Sequence, residues 1–288
     1  DTVDVDVTAL VYGDLITAKQ TGPGGESGIS AALEVGVGNG PLLVCIGVRE
    51  TGDTGSLGSQ GSSTGTIEFV GATSVVDGAP QGKPLSVSTS WQTIVFDPTN
   101  AAEVQDFTGD GILDGTRGVL EHLAIAVNSA AIDKSSGVYR LYIDNVVNVG
   151  ADTGGADFVI TDFEGYTNGD EVLFQEPTNS GSTDGNLIPL PSASVVQSVW
   201  GNPGQAEMLV WFFKDTDQSR WARVITGGGT PPFEPSPIID LTKPISIDFL
   251  LLPSYAVGDL NCDGTVDLFD IDPFVIALTS ASQSPPFS

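Results

Sequence analysis

The chain has 288 residues, with 10 Lys and Arg against 37 Asp and Glu and a formal charge of −27. So acidic a surface repels phosphate backbones and anionic lipid headgroups, which excludes nucleic acid and membrane surfaces as partners. Only 16% of residues are charged, while Gly, Ser, Thr and Pro are plentiful, a balance that suits short strands joined by turns.

At the amino terminus Val3, Val5 and Val7 alternate with Asp4, Asp6 and Thr8 and lead into Leu10 and Val11. This is the period of two of a strand with one apolar face. It has no basic start or apolar signal core, so the chain reads as a mature or trimmed product, and secretion is inferred. Further strands are predicted over 29–37, 42–49, 66–70, 85–88, 91–96, 120–127 and 138–147, enough to close a sandwich. The Gly-, Ser- and Thr-rich stretch 52–65 reads as loop, and 151–157 as a linker. A second set is predicted over 158–163, 172–174, 194–199, 207–213, 221–225 and 245–252. Prolines 231, 232 and 235 mark a loop, because proline cannot donate to a ladder. One helix is predicted, over 268–278. No apolar run approaches the roughly 20 residues of a membrane helix, so membrane insertion is not expected.

The organisation expected is all-β: an amino-terminal strand (1–13), a sandwich (14–150), the linker, a second sandwich (158–254) and a calcium loop with a helix (255–288). Cys45 lies in the apolar run Leu42-Leu43-Val44-Cys45-Ile46, where a buried reduced thiol is expected rather than a bridge to Cys262.

The sharpest chemical signal is Asp259-Leu260-Asn261-Cys262-Asp263-Gly264-Thr265-Val266-Asp267-Leu268-Phe269-Asp270. Oxygen ligands stand at loop positions 1, 3, 5, 9 and 12 (Asp259, Asn261, Asp263, Asp267, Asp270). Gly264 supplies the sharp turn at position 6, and the Thr265 carbonyl stands at 7, the spacing that wraps one chain around Ca²⁺. A second candidate, 106–114, places Asp106, Thr108, Asp110 and Asp114 at positions 1, 3, 5 and 9 with the Ile112 carbonyl at 7. Arg117 stands where the last acid belongs, and an ordinary Asp/Gly turn is the competing reading. His122, the only histidine, lies beside Glu121 inside an apolar run, where a structural role is expected. No catalytic centre is apparent.

The 259–270 segment, with Asp272-Pro273-Phe274-Val275-Ile276-Ala277-Leu278 after it, resembles a dockerin calcium repeat of the kind that ends secreted planctomycete-type proteins. Dockerins that bind cohesins carry two such repeats, and this chain has one. Ile67-Glu68-Phe69-Val70, Gly118-Val119-Leu120-Glu121-His122-Leu123 and Tyr142-Ile143-Asp144-Asn145-Val146 resemble the later strands of carbohydrate-binding-module-like jelly rolls. Phe163-Glu164-Gly165-Tyr166 and Ile245-Ser246-Ile247-Asp248-Phe249 resemble their opening strands, so closing motifs precede opening ones. Three arrangements fit that order: two jelly rolls of atypical strand count, one permuted sandwich closed within the chain, or modules completed by strands of neighbouring molecules. The resemblance implies that Asp144 and Glu164 share a structural Ca²⁺. It also implies a secreted or surface-bound bacterial protein.

Two functions follow as expectations. One is a structural subunit of an extracellular fibre or layer, binding copies of itself by strand addition through Val3, Val5, Val7, Leu10 and Val11. The other is a carbohydrate-binding module or adhesin for polysaccharide, with Trp200 and Trp91 as stacking platforms. Trp211, within Met208-Leu209-Val210-Trp211-Phe212-Phe213, reads instead as core.

Overall fold

A computed structural model describes residues 42–127, 138–189, 192–198, 204–214, 220–227 and 236–252, and the backbone of four two-residue strands before them. Those strands form two short antiparallel ladders, Leu15–Ile16 with Leu33–Glu34 and Thr21–Gly22 with Gly25–Glu26. The chain divides into two compact units. One comprises 1–38, 135–137 and 254–288, and the other 39–134 and 138–253.

The larger unit contains thirteen principal strands among the described residues: β1 (Leu42–Arg49), β2 (Ile67–Val70), β3 (Lys83–Leu85), β4 (Gln92–Phe96), β5 (Val104–Asp106), β6 (Arg117–Val127), β7 (Tyr139–Asn148), β8 (Phe158–Thr161), β9 (Ala193–Ser198), β10 (Gln205–Trp211), β11 (Trp221–Ile225), β12 (Ile238–Asp240) and β13 (Ile245–Leu251). The only helical pieces described are single 3₁₀ turns.

Two antiparallel sheets result. The first runs β4-β13-β7-β10-β9, with β8 also on β7. The second runs β5-β2-β1-β6-β11, with β12 also on β6 and β3 on β1. Alternate residues fill the space between them: Leu42, Val44, Ile46 and Val48 of β1 share one core with Ile94 and Phe96 of β4 and with Ile245, Ile247, Phe249 and Leu251 of β13. Tyr139 and Trp211 stack there, centroids 5.1 Å apart, so Trp211 is core as its apolar run suggests.

The 151–157 segment therefore does not divide two sandwiches. β7 lies between β10 and β13, and β6 between β1 and β11, so strands from both sides of the expected linker interleave in each sheet. Of the three arrangements the residue order allowed, the described residues form one sandwich. Neither half could bury its apolar faces alone, since strands from either side of the linker line the same core.

β1 and β6 are buried on both faces, which is why they read as apolar runs rather than alternations. A hairpin of Val75–Val76 and Ala79–Pro80 caps the second sheet's outer face, its two turn residues Asp77 and Gly78 both at positive φ. Cys45 sits beneath it, fully buried, and burial pushes its thiol pKa well up. The expected strand 172–174 is irregular, joined to β11's end by one bridge from Phe174 to Thr226.

Candidate functional site

Three polar clusters stand out against this apolar frame. The first lies where β7 and β13 pair. Asp144 faces Asp248 across the ladder, and the β7 register slips between Asp144 and Val147, with Asn145 at φ +46° in the bulge. Asn145 bridges the two acids: its backbone N–H donates to Asp144 Oδ1 at 2.7 Å and its side-chain amide to Asp248 Oδ2 at 3.0 Å. Thr93 Oγ1 donates to the other Asp248 oxygen at 2.5 Å. Glu164 approaches on the turn after Phe163, a buried residue at φ +56°, and accepts the Gln205 N–H at 2.8 Å. Gly204 makes that approach possible, because a Cβ there would stand 1.6 Å from Glu164 Oε1.

Asp144 is buried, and burial together with the negative charges of Asp248, Glu164 and Asp162 raises its pKa to about 6. Glu164, which the resemblance pairs with Asp144, is among the negative charges that act on it. Asp248 and Asp162 were not among the expected site residues. Asp248 had a signal, the polar alternation of Ile245-Ser246-Ile247-Asp248-Phe249, and Asp162 had none.

The sign of the pH effect follows. Asp144 keeps its proton in the folded state between about pH 4 and 6, where the unfolded chain has released it, so it withdraws stability as pH rises through that window. Without divalent cations, Asp144→Asn is expected to raise stability above pH 6 by about 1–2 kcal/mol, with little change at pH 4. Thermal melts at both pH values in chelator check this, and a lower melting temperature for the variant at pH 7 would contradict it.

The second cluster contains the histidine. Pairing of β6 with β1 passes from Leu120–Val48 directly to His122–Gly47, leaving Glu121 as an extra residue in a bulge. The bulge lets two consecutive side chains meet that a regular strand would send to opposite faces. His122 Nδ1 lies 2.5 Å from Glu121 Oε2. Glu121 Oε1 takes hydrogen bonds from Arg49 Nη2 at 3.1 Å and from Arg223 Nη2. The imidazole lies on the backbone of Gly47, where a Cβ would stand 1.9 Å from the ring, edge-on to Phe69 and Phe107.

Burial pushes the His122 pKa down, leaving it neutral with its proton on Nδ1 toward Glu121, and Nε2 is buried without a hydrogen-bond partner. Burial alone would push Glu121 up. The hydrogen bond from His122 and the nearby positive charges, of which the two guanidinium groups persist at every pH, hold it at about 2. This arrangement holds the imidazole against the Phe69 and Phe107 rings.

The third cluster is the 106–114 loop. Its backbone N–H groups at Asp110 and Gly111 donate to the buried Glu68 carboxylate at 2.8 and 3.0 Å, and the Asp114 N–H donates to Glu50. Thr108 Oγ1 accepts the Ile67 N–H at 2.9 Å, and Asp110 Oδ1 accepts the Ile112 N–H. Gly109 passes so close to Glu68 that a Cβ would stand 1.6 Å from Oε1. The loop thus wraps a carboxylate of the protein itself, and the side chains of Asp106, Asp110, Ile112 and Asp114 are exposed. Among the described residues no three His, Cys, Asp or Glu side chains gather as a metal centre would need.

Trp91 is half-buried, its Nε1 enclosed without a hydrogen-bond partner. An open depression of about 300 Å³, walled by Pro98, Thr99, Val104, Ile112, Leu113 and Leu241, carries no charged group. The 259–270 loop, the 268–278 helix, Trp200 and the 1–13 strand lie outside the described residues. Comparison with known proteins returns nothing similar: no family model, no curated protein and no solved structure matches.

Proposed function

We propose that this chain is a non-catalytic structural subunit of an extracellular bacterial fibre or surface layer, a jelly-roll sandwich that assembles by β-strand addition and is stabilised by Ca²⁺. The observation that carries the reading is the amino-terminal sequence pattern. Val3, Val5 and Val7 alternate with Asp4, Asp6 and Thr8 ahead of Leu10 and Val11, and residues 1–13 contain no proline. A segment of that pattern is suited to completing a neighbour's sheet.

The calcium part rests on the dockerin-like loop Asp259 to Asp270 and on the surroundings of Asp144, where a cation would offset the burial and the negative charges of Asp248, Glu164 and Asp162 that raise its pKa. In millimolar Ca²⁺ the order of the two proteins in the Asp144→Asn comparison is expected to reverse, with wild type gaining stability that the variant does not. A site with a dissociation constant a hundredfold below the free Ca²⁺ concentration adds about 2.7 kcal/mol.

Negative-stain electron microscopy of the protein in millimolar Ca²⁺, with and without residues 1–13, tests the assembly. Filaments that vanish on truncation support strand addition. Monodisperse particles from both overturn it and favour the polysaccharide-binding alternative.

A further inference from the structure

Strand addition needs an acceptor edge, and the edges of this sandwich are unequal. At the far end of the first sheet, β9 is closed by a loop: the Val196 N–H donates to Asp170 O at 2.7 Å, and Val196 O accepts the Gly169 N–H at 2.8 Å. In the second sheet, β11 is closed by 175–186, since Trp221 O accepts from Asn186, Arg223 N–H donates to Thr183 and Ile225 O accepts from the Gln175 N–H. β12 is closed by 58–60 through Gly58 N–H to Ile238 O and Ile238 N–H to Ser59 O. β3 and β5 are three residues long, and β8 is four residues with a slipped register on β7.

β4 differs. It pairs with β13 in unbroken register from Gln92–Phe249 to Phe96–Ile245. The Ser88 N–H, in the same lane, bonds Leu251 O, which sets the alternation: Phe249, Ile247 and Ile245 turn their backbone groups toward β4, so Gln92, Ile94 and Phe96 bond inward. The N–H and C=O groups of Thr93 and Val95 therefore point away from the sheet, and among the described residues none of the four takes a partner. Val95 is 46% exposed, and Thr93 is exposed beside it. Gln92-Thr93-Ile94-Val95-Phe96 contains no charge and no proline, the two devices that ordinarily protect an edge, in a chain that carries −27.

We infer that this β4 edge is the acceptor for residues 3–11 of a neighbouring copy, an assignment that rests on the strand-addition reading above. The chemistry of the two segments matches. A strand laid against β4 places alternate residues beside Ile94 and Phe96 at the core and the others beside Thr93 and Val95 in water. Val3, Val5 and Val7 suit the first set, and Asp4, Asp6 and Thr8 the second. An uncharged acceptor suits an acidic donor, because any acid on β4 would oppose Asp4 and Asp6 directly across the new ladder.

The test uses the full chain. Val95→Pro removes an N–H that points away from the sheet, so the internal ladder with β13 keeps its bonds. Filaments in millimolar Ca²⁺ are expected to be lost, with sedimentation at least tenfold poorer than wild type, while the far-ultraviolet spectrum is unchanged. As a check that does not depend on tolerating proline, a benzophenone amino acid at position 95 is photolysed in filaments mixed from ¹⁴N and ¹⁵N protein. Adducts to residues 1–13 carrying the other isotope are expected. If filaments form but the adducts map elsewhere, or stay within one copy, the β4 assignment falls and strand addition stands. If wild type forms no filaments, both fall.

Discussion

Glu121→Ala is expected to cost about 3–5 kcal/mol at pH 7, because it strands charges already withdrawn from water. Arg49 and Arg223 each have side chains only 16% exposed and share the Glu121 carboxylate, while the His122 ring donates to its other oxygen. Without the acid, two guanidinium groups are left facing each other near a buried imidazole. Glu121→Gln keeps the shape and one acceptor but no charge, and a smaller loss is expected.

The pH dependence distinguishes this from a packing effect. Glu121 has its pKa lowered to about 2, below the ordinary 4.5, so its contribution is present above pH 4.5 and is lost as pH falls toward 2. The gap between wild type and Glu121→Gln should therefore narrow from pH 7 to pH 3. Urea denaturation at both values measures it, and equal midpoints for wild type and Glu121→Ala at pH 7 would show that the cluster contributes nothing.

The residues that were legible from sequence are those whose neighbours in space are also neighbours in the pattern. β1 and β11 match their expected limits, 42–49 and 221–225, because apolar runs bounded by turn residues report burial directly. Pairing was not legible, since β7 meets β10 and β13 across 57 or more residues of sequence and nothing local records which strand lies beside which. Residues 172–174 are apolar enough for a strand, yet the Val172 and Phe174 N–H groups turn to a side chain, Glu207, instead of a ladder. The Glu121–His122 contact depends on a one-residue bulge that alternation cannot foresee.

Glu207 shows most clearly how a buried acid can be structural. It sits fully buried in β10, in the run Gln205-Ala206-Glu207-Met208-Leu209, where it looks like an interruption of a strand. Its oxygens accept the backbone N–H groups of Val172 and Phe174 at 3.1–3.2 Å. Ser194 Oγ lies 3.1 Å from Oε1 but 2.6 Å from the Phe174 carbonyl, so its single proton goes to that carbonyl and its lone pairs are free to accept the proton of a neutral Glu207. Burial, with the charge of Glu171 nearby, raises the Glu207 pKa to about 8 despite the hydrogen bonds it accepts.

The folded state thus holds this proton from pH 4.5 to 8 while the unfolded chain has released it, and stability falls across that window by up to about 4–5 kcal/mol at 1.36 kcal/mol per pH unit. Glu207→Ala, which orphans two backbone donors and leaves a cavity, is expected to cost about 3–5 kcal/mol at pH 5. Glu207→Gln can satisfy the Phe174 N–H and donate to Ser194 but leaves the Val172 N–H unmatched, a cost of about 1 kcal/mol at pH 5. That variant has no proton to lose, so its stability relative to wild type should climb with pH and overtake it before pH 8. Parallel stability curves for the two proteins from pH 5 to 9 would mean that Glu207 is ionised in the fold.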